Sequence, residues 1–204
     1  MSEVSQHWNG RYSSSSTPWD SGLPSQELRR MVAEQAIAPC RVLELGCGSG
    51  TNAVHLAEQG FDVTAVDCAP LAIERGRALA AARGVEVNWI ESDVCAFQSD
   101  RAPFDFVFDR GCYHCARRVD LDGFLQTLAA ATTAGSRYLV LTGNAHEKRE
   151  PGPPVLHEHE IRHELGQLFD VIQIRPFHFQ DAGEVQGPLG WSCLLTRRAA
   201  ASPT

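Results

Sequence analysis

The apolar positions of this chain follow two patterns in turn. Short continuous apolar runs, bounded by glycine, proline or charged residues, are typical of strands buried on both faces, whereas apolar positions three or four residues apart are typical of amphipathic helices. The continuous runs predict seven strands, at residues 40–45, 61–67, 85–93, 104–111, 136–144, 170–180 and 190–198.

Helical spacing occupies most of the segments between these runs. One helix is predicted to begin near Ser25, a good N-cap residue, and to end at Pro39. Further helices are predicted at 51–59 with Gly60 as C-cap, from Pro70 to Gly84, around 121–129 and at 157–169.

The regular alternation of strands and helices predicts an α/β fold with a mostly parallel sheet and helices on both faces. The last two strands are joined by roughly ten residues without helical spacing, so they are expected to form a hairpin that places one antiparallel strand in the sheet. Ligands of such sheets bind at the carboxyl ends of the strands, where we therefore look for functional residues.

The two ends of the chain lack these patterns. Residues 1–24 are rich in serine but carry Trp8, Tyr12 and Trp19, which are unfavourable in water. We expect residues 1–24 to dock as a lid on the domain formed by residues 25–198, either permanently or only when a ligand is bound. An equally simple role for Trp19 is to fix the N-terminus to the core. Residues 199–204 are predicted to be a disordered tail.

The composition is that of a globular domain, and it limits the classes of partner that the protein is expected to bind. The 204 residues are 43% hydrophobic and 21% charged, and no apolar run approaches the roughly 20 residues that span a bilayer. The N-terminus lacks the pattern of a signal peptide, so we expect a cytoplasmic protein. We also expect the protein to be a monomer or a weak homodimer. A net charge of −7 argues against a nucleic-acid groove and favours a small-molecule partner. The seven scattered cysteines are expected to be reduced.

A glycine loop follows the first predicted strand, in the sequence VLELGCGSG. Glycines at Gly46, Gly48 and Gly50 let a ligand approach the main chain closely before a helix begins. The dinucleotide fingerprint G-x-G-x-x-G would place its third glycine at Thr51, so the spacing disfavours an NAD-dependent oxidoreductase. A plain strand-to-helix turn remains the alternative for the glycines alone.

Carboxylates follow three successive strands in register. Glu44 precedes the glycine loop, Asp67 ends the second predicted strand, and Asp93 ends the third. An ionised carboxylate accepts strong hydrogen bonds, as from the hydroxyl groups of a ribose. Three acids in this arrangement indicate a nucleoside-containing ligand.

With these motifs the chain resembles the class I S-adenosylmethionine (SAM)-dependent methyltransferases, through VLELGCGSG, VTAVDCAP and IESDV. The resemblance covers roughly residues 25–198 and implies a Rossmann-like, seven-stranded sheet of order 3-2-1-4-5-7-6, with SAM as cofactor. It implies that Glu44, Gly46, Gly48, Gly50, Asp67 and Asp93 hold the cofactor, with Cys68 and Val94 near the adenine ring. The further predicted cofactor residues are Trp19, Cys47, Asn52 and Asp109.

A narrower resemblance concerns the methyl acceptor. The segments STPWDSGLPSQEL, FDFVFDRGCYHC and EPGPPVLHEHEI look like parts of small-molecule thiol methyltransferases of the thiopurine and thiocyanate type. It implies a small acceptor, with sulfur preferred over oxygen or nitrogen, that reacts in a desolvated pocket. Asp109, Tyr113 and His114 are the catalytic candidates, with His114 as general base because histidine titrates near neutral pH. A thiol acceptor is already partly ionised at pH 7 and needs no base.

Metal binding is one competing interpretation of the sequence. The Cys112-x-x-Cys115 pair and the histidines of the HEHEIRH segment resemble fragments of metal sites, but a structural zinc site needs four ligands, so we predict no metal.

A SAM-binding protein without catalytic activity is the non-enzymatic alternative function. An O- or N-methyltransferase that uses His114 as general base is the enzymatic alternative.

Overall fold

The computed structural model describes residues 2–147, 150, 152–180 and 186–199. The helices are α1 (Glu3–Ser13), α2 (Gln26–Glu34), α3 (Thr51–Glu58), α4 (Pro70–Arg83), α5 (Tyr113–Ala131) and α6 (Glu158–Glu164), followed by a 3₁₀ turn at Leu165–Gln167. The strands are β1 (Arg41–Leu45), β2 (Asp62–Asp67), β3 (Asn88–Glu91), β4 (Phe104–Arg110), β5 (Thr132–Asn144), β6 (Val155–Leu156), β7 (Phe169–His178) and β8 (Leu189–Arg197).

The strands of the described residues form one mixed sheet in the order β3-β2-β1-β4-β5-β8-β7, and the two-residue β6 pairs with β5 outside that path. Strands β1 to β5 pair in parallel, whereas β8 runs antiparallel to both β5 and β7. With β6 left aside, this is the predicted order 3-2-1-4-5-7-6 with its predicted final hairpin, so the fold prediction is confirmed. The strand order reverses at β1, and the ends of β1 and β4 frame a crevice there.

Helices cover both faces of the sheet, each over its own apolar cluster. Side chains of α2, α3 and α4 pack on one face, for example Met31, Leu56 and Ile73. The other face is covered by α5 and α6, with Phe124 and Ile161 in its core. Because both faces are buried, the strands are apolar on both sides, which explains the continuous runs in the sequence.

Several predicted element boundaries are wrong. The predicted strand at 85–93 is only Asn88–Glu91, and the first predicted helix ends at Glu34, well before Pro39. Helix α5 begins at Tyr113 and contains a non-helical residue, Asp120, so the residues expected in a loop after β4 belong to its first turn. Residues 200–204 of the predicted tail lie outside the described residues.

Helix α1 lies in the segment for which no helix was predicted, and it packs against α4. The Ser5 hydroxyl donates to the Cys68 carbonyl over 2.7 Å, and the Leu71 N–H donates to Asn9 Oδ1 over 3.0 Å. The Arg75 guanidinium donates to the Tyr12 carbonyl over 2.8 Å, and the Tyr12 side chain is buried. Polar contacts with the start of α4 thus position a helix whose own apolar pattern is weak.

Candidate functional site

The glycine loop lies at the carboxyl end of β1, at the mouth of the crevice. Gly46, Gly48 and Gly50 all have left-handed backbone angles, with φ of 64°, 55° and 80°. Helix α3 begins directly after Gly50, and its N-cap residue makes no side-chain hydrogen bond to the first turn. Such a helix start favours an anionic group, for example a carboxylate.

Two of these glycines are approached closely by other parts of the chain. A Cβ atom on Gly46 would lie 2.6 Å from Cys112 Cβ, so the segment after β4 runs directly against the loop. A Cβ atom on Gly48 would lie 2.8 Å from the Tyr12 hydroxyl oxygen, which α1 brings over the loop. Because these two glycines have no side chains, α1 of the N-terminal segment and the residues after β4 can both lie against the glycine loop.

The third glycine serves packing beneath the loop. A Cβ atom on Gly50 would lie 2.3 Å from the Trp89 ring and 3.0 Å from the Gly76 Cα atom. Trp89 fills the space between α3 and α4 because neither Gly50 nor Gly76 carries a side chain. Glycine is therefore needed at position 50 for packing against Trp89, a requirement that the sequence motif does not show.

Glu44 places a buried carboxyl group under the loop. It is 1% exposed, and its Oε1 accepts a hydrogen bond from Asn52 Nδ2 over 3.2 Å. Its Oε2 is buried without a hydrogen bond among the described residues. Burial raises the pKa of Glu44 to about 8, with Asp109 and Asp67 adding to the effect and Asn52 opposing it. An unpartnered acceptor in this position matches a cationic ligand group.

Asn52 has a second bond that the sequence did not indicate. Its Oδ1 accepts from the Ser25 N–H over 2.8 Å, at the N-cap of α2. Asn52 therefore uses its amide to join Glu44 to α2, so we interpret this predicted cofactor residue as one that positions Glu44.

Asp67 holds the loop from the adjacent strand. Its Oδ2 accepts from the Gly48 N–H and its Oδ1 from the Ala69 N–H, both over 2.9 Å. The side chain is mostly buried, and burial raises its pKa. Each oxygen keeps a second lone pair, so the carboxylate can still accept from hydroxyl groups.

The remaining predicted cofactor residues lie beside this carboxylate. Asp93 Oδ1 accepts from the Cys95 N–H over 2.9 Å, and Val94 is buried. Cys47 is buried, and burial raises its pKa well above the ordinary value. Cys68 is half-buried, with a pKa raised by burial to about 12. Both thiols are therefore protonated and unreactive at neutral pH.

Three aromatic side chains of the N-terminal segment form a cluster above the loop. The Trp19 ring packs edge to face with Trp8 at 5.6 Å and with Tyr12 at 6.3 Å between centroids. The guanidinium of Arg11 lies 4.7 Å from the Trp19 centroid, and that of Arg75 lies 5.6 Å from the Tyr12 centroid. One face of the Trp19 ring and one face of the Tyr12 ring thus already contact a cation.

Arg110, at the end of β4, ties this segment to the β7–β8 hairpin. Its guanidinium donates to the Trp19 carbonyl over 2.9 Å and to the Gln180 carbonyl over 3.0 Å. It also lies 5.1 Å from the Phe179 ring centroid. The sequence places Arg110 among the residues that follow the fourth strand but indicates no role for it, since a basic residue at a strand end is a weak signal.

Asp109 and Tyr113, two of the predicted catalytic residues, both form buried hydrogen bonds within the protein. Asp109 is fully buried, and its carboxyl group accepts from the Cys112 and Tyr113 N–H groups, both over 2.8 Å, and from the Tyr138 hydroxyl. Tyr113 is also fully buried and donates to Glu164 Oε2 over 2.6 Å. Asp109 therefore caps α5, and Tyr113 joins α5 to α6.

His114 has a different environment from the one expected of a general base. It is 4% exposed, and its Nδ1 accepts from the Gly143 N–H over 3.0 Å. Burial lowers the pKa of His114 to about 3, and the Arg110 cation adds to this effect. The ring is therefore neutral at pH 7, with its proton on Nε2 and no free lone pair for a proton. A neutral histidine whose Nδ1 is engaged by the main chain is less suited to accept a proton than the sequence suggested.

The predicted fragments of metal sites stay separate. In the part of the chain that the structure describes, no group of three or more potential ligands comes together. The His157 and His159 rings stack at 5.5 Å instead.

The sequence was compared with protein families and with individual proteins. A family model described as a methyltransferase domain matches residues 42–135. The 2-heptyl-1-hydroxyquinolin-4(1H)-one methyltransferase of Mycobacteroides abscessus is 30% identical over 176 residues, which cover 81% of this chain and 77% of that protein. The chain belongs to the class I SAM-dependent methyltransferases. SAM is accordingly the cofactor of this methyltransferase.

Other methyltransferases match less of the sequence. The tRNA 5-carboxymethoxyuridine methyltransferase of Escherichia coli is 31% identical over 123 residues, which cover 59% of this chain and 47% of that protein.

None of the helices among the described residues combines the length and the apolar character that a membrane span requires.

Solved structures share the fold at lower identity. The 1,6-didemethyltoxoflavin-N1-methyltransferase of Burkholderia thailandensis is 20% identical with a TM-score of 0.74, covering 96% of this methyltransferase and 87% of that chain. A structure described by the conversion of a disulfide bond into a thioacetal group during echinomycin biosynthesis is 20% identical with a TM-score of 0.84, covering 98% and 95%. Both likenesses show the fold.

The site fits the chemistry of SAM. The buried Glu44 Oε2 lacks a partner and suits a cationic ammonium group, and the uncapped start of α3 suits a carboxylate. Asp67 retains lone pairs for ribose hydroxyls. These residues thus offer each polar part of the cofactor a complementary group.

Proposed function

We propose that this methyltransferase methylates a small molecule, with a sulfur nucleophile preferred, in a crevice closed by the N-terminal segment. In the proposed complex Glu44 and the loop Gly46–Gly50 hold the amino-acid part of SAM, and Asp67 holds the ribose. Asp93, Val94 and Cys68 lie by the adenine ring. When bound, SAM supplies an electrophilic methyl group.

The observation that carries this proposal is the convergence of three segments on the glycine loop. Tyr12 and Trp19 lie above it, Cys112 lies against it, and Glu44 lies beneath it with an unpartnered oxygen. A reaction enclosed in this way excludes water from the methyl group. An enclosed site of this kind suits a small acceptor rather than a folded nucleic acid, in agreement with the net charge of −7.

Thiols are the preferred acceptors because they ionise near neutral pH and so need no general base. This preference agrees with the neutral, lone-pair-free state of His114. A solved structure of similar fold is described by chemistry at a disulfide, which supports sulfur as an acceptor here as well.

An acidic hydroxyl group is the second candidate. The hydroxyquinolinone methyltransferase is similar over most of both chains, and its named substrate carries a hydroxyl group on a heteroaromatic ring. Such a group also ionises readily, so it suits the same site. A methyltransferase for this class remains the alternative function.

The first experiment measures cofactor binding by titration calorimetry with S-adenosylhomocysteine (SAH). We expect Glu44→Gln to weaken SAH binding by roughly tenfold or more, because a charge-assisted hydrogen bond to the ammonium is lost. Glu86→Gln, at an exposed position, serves as the control and should leave the affinity unchanged. Equal affinities of the two variants would contradict the assignment of Glu44.

The second experiment identifies the acceptor. The protein is incubated with methyl-labelled SAM and separate panels of thiols, N-hydroxy heteroaromatics, phenols and amines, and with total tRNA, and products are read by mass spectrometry. Labelled thioethers support the proposal, and labelled N-hydroxy or phenolic products support the alternative. Labelled tRNA or labelled amines alone would overturn both.

A further inference from the structure

We propose that His114 binds the methyl acceptor as a neutral hydrogen-bond donor, through its Nε2–H, and that the enzyme therefore uses acceptors that are anions before they react. This inference rests on the proposed function, since it names the acceptor class and one residue that orients it.

The position of His114 follows from contacts between loops. Cys112 lies against Gly46 at the carboxyl end of β1, and His114 follows two residues later in the first turn of α5. Ligands of such sheets lie beyond the strand ends, so the acceptor must approach the methyl group over the ends of β4 and β5. His114 is bonded to the main chain of β5 at that place, through Gly143.

The hydrogen bond from Gly143 decides which ring nitrogen carries the proton. Because the Gly143 N–H donates to Nδ1, a neutral ring must carry its hydrogen on Nε2. Within the described residues Nε2 forms no hydrogen bond. The Cε1–Nε2 edge faces Gly111, where a Cβ atom would lie 3.5 Å away from both atoms. Gly111 has a φ of 84° and no side chain, so no Cβ atom lies against this edge of the mostly buried ring.

Two further donors belong to residues linked to His114, either through the adjacent main chain or through charge. Asn144, next to Gly143, has a fully buried side chain whose Nδ2 lacks a partner among the described residues. Arg110 brings a guanidinium and is the charged group that lowers the pKa of His114. The neighbouring carboxyl group of Asp109 is engaged by two N–H groups and a hydroxyl. Donors and a cation stabilise an anion and cannot remove a proton from a neutral acceptor.

The reaction then needs no proton transfer. The acceptor anion forms the new bond to the methyl carbon with its own electron pair, and the bond from that carbon to the donor sulfur breaks onto the sulfur. One negative and one positive charge disappear together, so charge is conserved without a base. Donation from Nε2–H orients the anion while leaving its reacting lone pair free.

The first test is nitrogen NMR on the full-length protein with SAH bound, followed by addition of 4-nitrothiophenol, whose thiol is ionised at neutral pH. We expect His114 to show a protonated Nε2, an unprotonated Nδ1 and no titration between pH 5 and 9. We expect the Nε2–H signal to shift when the probe is added. A titration of His114 between pH 6 and 8, or no shift with the probe, would overturn the proposal.

Matched variants form the second test. His114→Asn keeps an oxygen for the Gly143 N–H but removes the Nε2–H donor, whereas His114→Gln can return a donor near that position. We expect His114→Asn to weaken binding of 4-nitrothiophenol to the SAH complex by roughly 10- to 100-fold and His114→Gln to restore part of it. SAH affinity should stay within twofold in both. Loss of thermal stability alone, without a change in probe binding, would assign His114 a structural role.

The two proposals fail in different ways. If SAH does not bind the wild-type protein, the proposed function fails. If SAH binds normally and the probe ignores His114, only the inference about the acceptor fails.

Discussion

At the scale of single residues, the glycine loop shows how one motif can serve several contacts. The three glycines share a left-handed backbone, yet they face Cys112, Tyr12 and Trp89 respectively. Their identity therefore reflects packing of the enclosing segments as well as access for a cofactor. The sequence motif predicted the place of the loop and could not show which neighbour each glycine meets.

A comparison of two glycines separates backbone strain from crowding. Gly84 has a φ of 67° with nothing near its missing side chain, whereas Gly50 has a φ of 80° and faces the Trp89 ring at 2.3 Å. We expect Gly84→Ala to lower the free energy of unfolding by about 1 kcal/mol, and Gly50→Ala to lower it by about 2–4 kcal/mol because overpacking is added. Urea unfolding measures both. Equal losses would show that Trp89 moves aside without cost.

Glu44 should give the unliganded protein a characteristic pH dependence. Burial raises its pKa from the ordinary 4.5 to about 8, so its contribution to stability is fully present below about pH 4.5 and is lost as the pH rises towards 8. Glu44→Gln cannot ionise, so the difference in melting temperature between this variant and the wild type should increase from pH 5 to pH 8. Thermal scans at several pH values measure it, with Glu86→Gln as control. A constant difference would contradict burial of Glu44.

At the scale of elements, α1 and α5 depart furthest from the sequence-based expectations. The sequence analysis predicted a helix only around residues 121–129, and it named Asp109, Tyr113 and His114 as catalytic candidates that precede this helix. Their burial and hydrogen bonds show that two of them complete the start of a helix. A capping carboxylate and a catalytic one have the same letter in a sequence, so only the positions of their partners distinguish them.

The docking of α1 on α4 predicts how the cofactor is retained. The double variant Ser5→Ala, Asn9→Ala removes the side-chain bonds to the main chain at Cys68 and Leu71. We expect faster hydrogen exchange of residues 3–13 and roughly tenfold faster SAH dissociation, because two bonds of about 1 kcal/mol each are lost. Mass-detected exchange and stopped-flow binding measure these rates.

Ser13→Ala is the matched control, since that hydroxyl bonds only to the Gly10 carbonyl of the same helix. It should leave both rates unchanged. Unaltered SAH dissociation in the double variant would show that the N-terminal segment is not a lid.

At the scale of the whole molecule, a buried ion network joins α2 to the last hairpin. Glu27 is mostly buried and accepts from the Ser192 hydroxyl over 2.5 Å and from the guanidinium groups of Arg30 and Arg175. Ser192 lies on β8 and Arg175 on β7, so the network crosses from the N-terminal half of the chain to the C-terminal strands. It fixes the helix that follows the N-terminal segment relative to the sheet.

Loss of this carboxylate should destabilise the fold as a unit. We expect Glu27→Ala to lower the free energy of unfolding by about 3 kcal/mol, because it leaves Arg175 and Ser192 without their acceptor. Glu34→Ala removes a half-exposed partner of Arg30 and should cost less than about 0.5 kcal/mol. Chemical denaturation measures both, and similar small losses would mean that water replaces the network.

The same network predicts acid sensitivity of the opposite sign to that of Glu44. Burial alone would raise the pKa of Glu27, but the bonds from Arg30 and Ser192 and the Arg175 cation lower it below its ordinary value. Its contribution to stability is therefore present above about pH 4.5 and is lost as the pH falls through the lowered pKa.

The sequence by itself determined the order and type of most elements, the sheet topology and the location of the glycine loop with its three carboxylates. These features are local in the chain, since each strand and helix carries its own apolar period and the family motifs are short and continuous. The tertiary structure decided which polar residues are available for chemistry. Burial and the proton position on His114 depend on partners tens of residues away, so no local pattern contains them, whereas Asp109 caps α5 through N–H groups only three and four residues further on.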